Sequence, residues 1–502
     1  MKKVVLAAIL GIVLSVAASI QLCAQTAADA GVTFKSKVDA ILNVATLASA
    51  YEGVEIETVK DKQVLYSRNA GRVFLPASNN KLLTSSAALA LLGADFQYRT
   101  ELKAIGTVAN GTLTGVLLLV GSGDPTLSSE DVATMASQVR AAGISTITGG
   151  IRYDASVFDE QWLGDGWTWD DEPYYYSAQI GGLNVDRNVT LVTVKPAAKA
   201  ENQPIVTLTA GAEACIKVEN TAVTRDGENG DTKPHIAIDR KRGENIITVT
   251  GTIPVDSSAK PVTAALTFEN PPMYTATLFL EALKRAGITV GTNTAFKWNS
   301  TTPDGSALAT HSSAKLSDII ALMNKPSDNM IAECLLKTIG AFKRKIGTAG
   351  GSGTGPASAR EWLTSIGLEP MQLHQVDGSG LSRQDFVSPL NLVRLLRYWT
   401  TDSKYSTFYS SLPIAGVDGT LRNRMKGTAA ANNCRAKTGS LNHVSCLSGY
   451  VTSKDGVPLV FSIMLNNQLG PAIASTNAEN KIVELLADTE IGAHTGSEIK
   501  AQ

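Results

Sequence analysis

The sequence Pro76-Ala77-Ser78-Asn79-Asn80-Lys81 lies at the predicted start of an apolar helix that ends at Gly93. Residues three apart on a helix lie one turn apart on the same face, so the Ser78 hydroxyl can meet the Lys81 amine. The helix N-terminus adds free backbone N–H groups and partial positive charge, which would stabilise a developing oxyanion. Lysine accepts a proton only when part of its population is neutral, so the chemistry requires the pKa of Lys81 to be lowered by burial or by a cationic neighbour. The pair is a candidate nucleophile and base.

The Ser-x-x-Lys spacing is not specific by itself, because accidental matches to so short a motif are common. The same spacing occurs at Ser257/Lys260, Ser312/Lys315 and Ser497/Lys500. Ser78 differs from these through its helix start, the preceding Pro76 and the apolar helix behind it.

A second motif, Ser327-Asp328-Asn329, follows Pro326 in a predicted turn between two helices. A hydroxyl and an amide two residues apart in a tight turn can project to one side. The structural alternative is that Ser327 only caps the next helix.

A third motif, Lys437-Thr438-Gly439, lies on a predicted strand, where Lys437 and Gly439 share a face and Thr438 points the other way. Because Gly439 has no side chain, a ligand could approach the backbone closely there. The structural alternative is an edge-strand lysine followed by a turn glycine.

The composition is that of a globular protein. The chain has 502 residues, 44% hydrophobic and 18% charged, with a formal net charge of −1. These values exclude collagen, coiled-coil and wholly disordered classes. Near-neutral charge without a long basic run argues against nucleic acid as the main partner. At roughly 150 residues per domain, the length suggests about two to four domains.

The N-terminus has the pattern of a secretory signal peptide. Lys2 and Lys3 precede an apolar stretch, residues 4–18, and a cleavage site fits after Ala24. The apolar stretch falls short of the ~20 residues that a membrane-spanning helix needs. A lipoprotein at Cys23 is the other alternative, disfavoured by Leu22 before it. We expect export to the periplasm, with peripheral membrane association left open.

Export opens an oxidising compartment, but the sequence does not indicate a disulfide scaffold. The cysteines after the signal peptide are Cys215, Cys334, Cys434 and Cys446. In the predicted C-terminal hairpin, Cys434 lies opposite about Tyr450 and Cys446 opposite about Thr438. The two therefore do not face each other, and we predict free, buried cysteines.

The two ends of the chain predict one domain and the middle predicts an insertion. The predicted strands Val54–Val59 and Gln63–Ser67 would join three C-terminal strands in an antiparallel five-stranded sheet flanked by helices, an α/β (α+β) fold. Short β-like runs fill the interval between about residues 100 and 260. We predict a discontinuous catalytic domain, residues 25–99 and 262–502, with mostly-β inserted domains at 100–190 and 191–261.

Taken together and in this order, the three motifs resemble the Ser-x-x-Lys, Ser-Asp-Asn, Lys-Thr-Gly signature of β-lactamases and penicillin-binding proteins. The long interval between the first two motifs would be unnecessary in a compact β-lactamase. The chain therefore resembles the low-molecular-mass class C penicillin-binding proteins, which are D-alanyl-D-alanine carboxypeptidase/endopeptidases with domains inserted there. Further supporting stretches are residues 123–127, 169–176, 377–383 and 415–420. Asn442-His443 departs from the small residues usual in such relatives and bears on substrate preference.

The resemblance implies the penicillin-binding/β-lactamase-like fold and an acyl-enzyme mechanism. Ser78 would attack the carbonyl between two D-Ala residues, Lys81 would accept its proton, and Ser327 would relay a proton to the leaving amine. Asn329 would bind the substrate backbone. Lys437 would hold the terminal carboxylate and, through its charge, lower the pKa of Lys81.

The resemblance also implies the binding groups around that centre. Thr438 would help to hold the carboxylate beside Gly439, and backbone N–H groups of Ser78 and Ser440 would bind the oxyanion. In Trp169–Tyr176, Asp171 would face the side-chain amine of a diaminopimelate-type residue, with Tyr176 as a wall. The structural alternative is a loop packed by its own aromatic residues.

The expected partners are peptidoglycan stem peptides and β-lactam antibiotics, and no cofactor or metal is expected. Two other functions stay open at this point: a β-lactamase, and a catalytically silent wall-binding protein on the same fold. The intact motifs argue against the silent protein, and no motif places a glutamate to drive the fast deacylation of a β-lactamase.

Overall fold

The computed structural model describes residues 34–227, 233–255, 260–292, 295–303, 307–348, 350, 351 and 353–492. The predicted signal peptide, residues 1–24, lies outside the described residues. The α-helices comprise residues 34–42 (α1), Asn80–Leu91 (α2), Ser129–Ala141 (α3), Pro271–Arg285 (α4), Leu316–Asn324 (α5), Asn329–Arg344 (α6), Thr354–Ser365 (α7), Pro389–Trp399 (α8), Tyr405–Ser411 (α9) and Ala472–Asp488 (α10).

The strands are short in the middle of the chain and longer at its two ends. They are Tyr51–Thr58 (β1), Val64–Arg68 (β2), Arg99–Ala109 (β3), Thr112–Val120 (β4), Thr146–Ile147 (β5), Ile151–Asp154 (β6), Val189–Lys195 (β7), Ile205–Thr207 (β8), Lys217–Asn220 (β9), Val223–Arg225 (β10), His235–Arg240 (β11), Ile246–Pro254 (β12), Val262–Thr267 (β13), Thr289–Val290 (β14), Phe296–Lys297 (β15), Ala307–Ser312 (β16), Leu373–His374 (β17), Phe386–Val387 (β18), Arg435–Leu441 (β19), Val444–Thr452 (β20) and Pro458–Asn466 (β21).

The predicted five-stranded sheet is confirmed. Its order is β19-β20-β21-β1-β2, and all its pairs are antiparallel. β20 and β21 are buried along nearly their whole length, which explains their continuous apolar runs. The N-terminal hairpin adds to this sheet because β1 pairs with β21 over eight residues. Chain ends far apart in sequence thus share one sheet.

Helices cover both faces of the sheet. On one face, α2, α5, α6, α7 and α8 bury a core with residues such as Leu83, Leu335 and Leu396. On the other face, α1 and α10 cover Leu447 and Ile463 of the sheet. α2 is buried along most of its length, and it carries Lys81 into the interior.

The inserted part contains a seven-stranded sheet of its own, with the path β14-β5-β4-β3-β16 and with β6 and β15 beside it. α3 and α4 pack on it around Val139, Phe279 and Leu283. The predicted return to the catalytic part at residue 262 is wrong. β16 pairs with β3, and the apolar face of α4 belongs to the inserted core, so the described residues between 262 and 312 share the structure of the insertion. Two smaller sheets, β13-β7-β8 and one around β12, complete it.

The cysteines that were predicted to be free are free in the structure, and all but the half-buried Cys215 are buried. The predicted hairpin register was off by one residue, since Arg435 pairs with Tyr450 and Gly439 with Cys446. Among the described residues, no helix combines the length and apolar character needed to cross a membrane.

Candidate active site

Ser78 lies in a 3₁₀ turn, Ala77–Asn79, that runs directly into α2. The residue before it, Ala77, has a φ of 46°, a left-handed conformation that a non-glycine residue adopts at a cost of about 1–3 kcal/mol. Gly380 packs against this turn so closely that a Cβ there would lie 1.8 Å from the Ala77 carbonyl oxygen. Ser78 is therefore held in a defined position directly after a strained residue.

Lys81 is completely buried one turn after Ser78. Its Nζ lies 3.0 Å from Ser78 Oγ, 2.6 Å from Asn329 Oδ1 and 2.8 Å from the Ser379 carbonyl oxygen. Burial lowers the pKa of Lys81 to about 8, although Asp377 and other acids oppose the shift. Of the two causes that the sequence left open, burial is the largest, and Lys437, which the resemblance implied, is not among the leading causes.

The turn that carries Ser327 and Asn329 connects α5 to α6. Ser327 has a φ of 68°. The alternative that Ser327 caps α6 is wrong, because the capping residue is Asp328, whose side chain accepts from the Ile331 N–H at 2.9 Å. Ser327 Oγ instead accepts a hydrogen bond from Lys437 Nζ at 2.9 Å.

Lys437 is completely buried on β19, and its Nζ also donates to the Thr438 carbonyl. Burial, followed by the nearby charge of Lys81, lowers the pKa of Lys437 well below its usual range. Thr438 Oγ1 donates to Thr420 Oγ1 at 2.8 Å, and the side chain of Ser440 is exposed. Two hydroxyl-bearing residues thus follow the buried lysine along the strand.

Gly439 does not provide the ligand space that was expected from the sequence. A Cβ built on it would lie 2.6 Å from the Pro76 carbonyl oxygen and 3.1 Å from the Asn79 N. The space that was expected to admit a ligand is filled by the Ser78 turn. The missing side chain therefore lets β19 pack against that turn, with Asn79 Nδ2 donating to the Lys437 carbonyl at 3.1 Å.

These residues open onto a cleft of about 880 Å³. Ser78, Ser327, Asn329, Thr438 and Ser440 all line it. The structure thus brings the three motifs together, since both lysines reach hydroxyls at the cleft.

The inserted part also contributes to the wall of the cleft, through Asp171 and Tyr176. Asp171 Oδ1 accepts from the Tyr176 hydroxyl at 2.8 Å, and its Oδ2 accepts from Thr168 Oγ1 at 2.6 Å. The Tyr176 carbonyl accepts from Asn329 Nδ2 at 2.8 Å, which fixes which side of the Asn329 amide faces Lys81.

Several residues around the site carried no predicted role. Asp377 and Ser379 lie in the stretch 377–383, which the sequence singled out without assigning contacts, and the same holds for Thr420 in 415–420. Glu333 gave only a weak signal, an acid on an otherwise apolar helix face. Arg187 lies in the inserted part and forms an ion pair with Asp328, and no sequence signal pointed to it.

A serine hydroxyl beside a buried lysine amine, on a five-stranded antiparallel sheet with helices on both faces, defines the class of serine enzymes that includes penicillin-binding proteins and β-lactamases. Within that class, the chain belongs to the D-Ala-D-Ala carboxypeptidase 3 (S13) family, whose model matches residues 34–489. It is a serine-type D-alanyl-D-alanine carboxypeptidase, and the predicted membership of the class C penicillin-binding proteins is confirmed.

Similar proteins span nearly the same length. A D-alanyl-D-alanine carboxypeptidase of Actinomadura sp. strain R39 is 40% identical, over 87% of this chain and 82% of that protein. The carboxypeptidase DacB of Haemophilus influenzae is 28% identical, over 87% of this chain and 90% of its own length. The crystal structure of penicillin binding protein 4 from H. influenzae matches with a TM-score of 0.78 and 25% identity, covering 90% of this chain and 99% of that one.

Proposed function

We propose that this enzyme cleaves the D-alanyl-D-alanine bond of peptidoglycan stem peptides and the peptide cross-links between them, through an acyl-enzyme on Ser78. The observation that carries the proposal is the 3.0 Å contact between Ser78 Oγ and the buried amine of Lys81. With a pKa of about 8, roughly a tenth of Lys81 is neutral at pH 7 and available as a base.

Acylation begins when neutral Lys81 takes the Ser78 proton and Ser78 Oγ bonds to the carbonyl carbon of the penultimate D-Ala. The resulting oxyanion meets the backbone N–H groups of Ser78 and Ser440. Removal of one such donor typically costs on the order of 10²–10³ in rate.

Ser327 completes the first half-reaction. Its Oγ, held by Lys437 Nζ at 2.9 Å, relays to the leaving amine the proton that Lys81 took from Ser78, so the peptide C–N bond breaks and Lys81 becomes neutral again. The leaving group is the terminal D-Ala in the carboxypeptidase reaction and the cross-linked strand in the endopeptidase reaction. Water then attacks the ester and regenerates the Ser78 hydroxyl.

The terminal carboxylate of the substrate would bind beside β19. Thr438 and Ser440 offer hydroxyls on the cleft side, and Thr420 supports Thr438 at 2.8 Å. Lys437 lies completely buried behind them, and a bound carboxylate would favour its protonated form, so that the lysine supplies a positive charge in the complex. A β-lactam presents a carboxylate and a strained amide in a similar relation, so we propose that β-lactams acylate Ser78 and inhibit the enzyme.

The Asp171 side chain would receive the free amine of a diaminopimelate-type stem residue, with Tyr176 as the wall. Asp171 is held by Tyr176 and Thr168 and lies at the cleft surface, where its charge is accessible. The test compares Asp171→Ala with Asp170→Ala, a matched change at another cleft acid, on stem peptides with and without that amine. Equal loss on both peptides in Asp171→Ala would reject the pocket.

We propose that the enzyme works in the periplasm after cleavage behind Ala24. Peptidoglycan lies there, and so do the substrates that the cleft is proposed to bind. N-terminal sequencing of the mature protein from a cell fractionation tests both points, and an intact N-terminus in the cytosol would contradict them.

One experiment tests the central proposal. The protein is incubated with penicillin, and its intact mass is followed over time beside Ser78→Ala. A lasting adduct that is absent from Ser78→Ala supports the peptidase. A fleeting adduct with penicillin turnover would indicate a β-lactamase, and no adduct would indicate a silent protein.

A further inference from the structure

A buried carboxyl cluster lies near Lys81, and none of its members lines the cleft. It consists of Glu333 on α6 and of Asp377 and Asp385 in the segment that follows β17, each less than 2% exposed. The proposed mechanism uses none of these groups, although burying carboxyls is costly unless they are well paired.

Glu333 binds one short backbone segment with both of its oxygens. Oε2 accepts from the Gly378 N–H at 2.8 Å, and Oε1 accepts from the Ser379 N–H at 2.8 Å. The carbonyl of that same Ser379 accepts from Lys81 Nζ at 2.8 Å. Two bonds to one peptide segment fix its orientation, so Glu333 determines where the Ser379 carbonyl points.

The Ser379 carbonyl matters because a neutral amine has a fixed number of N–H groups to donate. Lys81 Nζ has three partners, and two of them, Asn329 Oδ1 and Ser379 O, can only accept. A neutral amine has two N–H groups and one lone pair. If both N–H groups go to these acceptors, the lone pair is left for the third partner, the Ser78 hydroxyl at 3.0 Å.

We propose that Glu333 is a positioning residue for acylation, holding the Gly378-Ser379 backbone so that the Ser379 carbonyl turns the lone pair of Lys81 toward Ser78. This inference rests on the proposed function of Ser78 and Lys81. Asn329 supplies the other fixed acceptor, since the Tyr176 carbonyl takes its Nδ2 at 2.8 Å.

The Gly378-Ser379 segment packs so closely against α6 that it has no room to shift toward the helix. A Cβ on Gly378 would lie 2.3 Å from the Ala332 carbonyl oxygen, so the segment already touches the helix backbone. Asp377 fixes the segment's other side, because its carboxylate accepts from the Gly380 N–H at 2.6 Å and from Trp167 Nε1 at 2.9 Å.

The test is the variant Glu333→Gln, which keeps the side-chain volume but replaces one acceptor by an NH₂ group that faces a backbone N–H. The rate constant of acylation by a β-lactam and the dissociation constant of the preceding complex are measured by stopped flow at pH 9. At that pH, Lys81, with a pKa of about 8, is mostly neutral, and Glu333, whose pKa burial raises to about 8, is mostly ionised. The protonation of Lys81 then contributes little to the comparison.

The control is Thr338→Val on the same helix, which removes a buried hydroxyl that pairs with the Tyr98 hydroxyl and donates to the Cys334 carbonyl, both outside the site. We expect Glu333→Gln to lower the acylation rate constant by about tenfold or more, with the dissociation constant within about threefold of the wild type. Thr338→Val should lose thermal stability but keep its acylation rate constant.

A Glu333→Gln rate constant equal to that of the wild type would overturn the proposal. So would equal losses in Glu333→Gln and Thr338→Val, since these would indicate general destabilisation. If Glu333→Gln does not fold, Gly378→Ala displaces the same segment without touching a charge and is judged by the same outcomes. A wild type that is not acylated would refute the proposed function itself, and this inference with it.

Discussion

Replacing Gly439 by alanine should slow acylation by separating β19 from the Ser78 turn. A Cβ on Gly439 would lie 2.6 Å from the Pro76 carbonyl oxygen, whereas ordinary contact begins at 3.4 Å. The strand and the turn must therefore move apart by about 0.8 Å. Because a misplacement of about 1 Å can cost on the order of 10²-fold in rate, we expect acylation to slow by about 10- to 100-fold. Overpacking should also cost about 1–3 kcal/mol of stability.

The assay is the rate constant of Ser78 acylation by a chromogenic β-lactam, measured beside thermal unfolding. Gly71→Ala is the matched control, since a Cβ there would meet only Gln372 Nε2, at 3.5 Å. If Gly439 served only ligand access, Gly439→Ala would weaken the initial complex and leave stability unchanged. That result, or a Gly439→Ala enzyme as fast and as stable as Gly71→Ala, would refute the packing argument.

Three further predictions concern protonation, carboxylate binding and the core. The pKa of Lys81 is lowered to about 8, so its neutral fraction rises with pH, and acylation should be about fivefold faster at pH 8 than at pH 7; a flat profile in stopped flow would contradict this. Thr420→Val removes the hydrogen bond to Thr438, so the KM for a D-alanyl-D-alanine peptide should rise severalfold; an unchanged KM would show that Thr420 is dispensable. Ser86→Ala leaves the buried Trp399 indole N–H without its 2.8 Å partner, so thermal unfolding should show a loss of about 1–3 kcal/mol with acylation unchanged; full stability would mean that the indole finds another acceptor.

The sheet of this enzyme could be predicted from sequence because its strands are continuous apolar runs bounded by turns. β20 and β21 are buried on both faces, and their residues show it directly. The boundary at 262 could not be predicted in the same way. β16 has ordinary strand texture, and nothing local to it indicates that its partner is β3, some two hundred residues earlier in the chain.

The residues of the candidate site also divide into those that the sequence reveals and those that it does not. Ser78, Lys81, Ser327 and Lys437 could be found because short motifs place them beside their chemistry. Lys81, for example, reaches Ser78 within one helix turn. Glu333 gave only a weak signal, because its partners are backbone N–H groups of Gly378 and Ser379, and residue identity does not reveal a contact with the backbone. For Gly439, the sequence showed that a side chain is missing, but it did not show that the Pro76 carbonyl oxygen occupies the space.

The hydrogen bond from Asn329 Nδ2 to the Tyr176 carbonyl has a consequence for modular engineering of such enzymes. A truncated version that retained all three motifs but lacked the inserted segments would have no acceptor for that amide. Rotation of the amide by half a turn would then present an NH₂ group to Lys81, donor against donor. Grafting the motifs onto a smaller scaffold would therefore have to supply a replacement carbonyl at this point, and the insertion is better regarded as a structural component of the reaction centre than as a removable accessory.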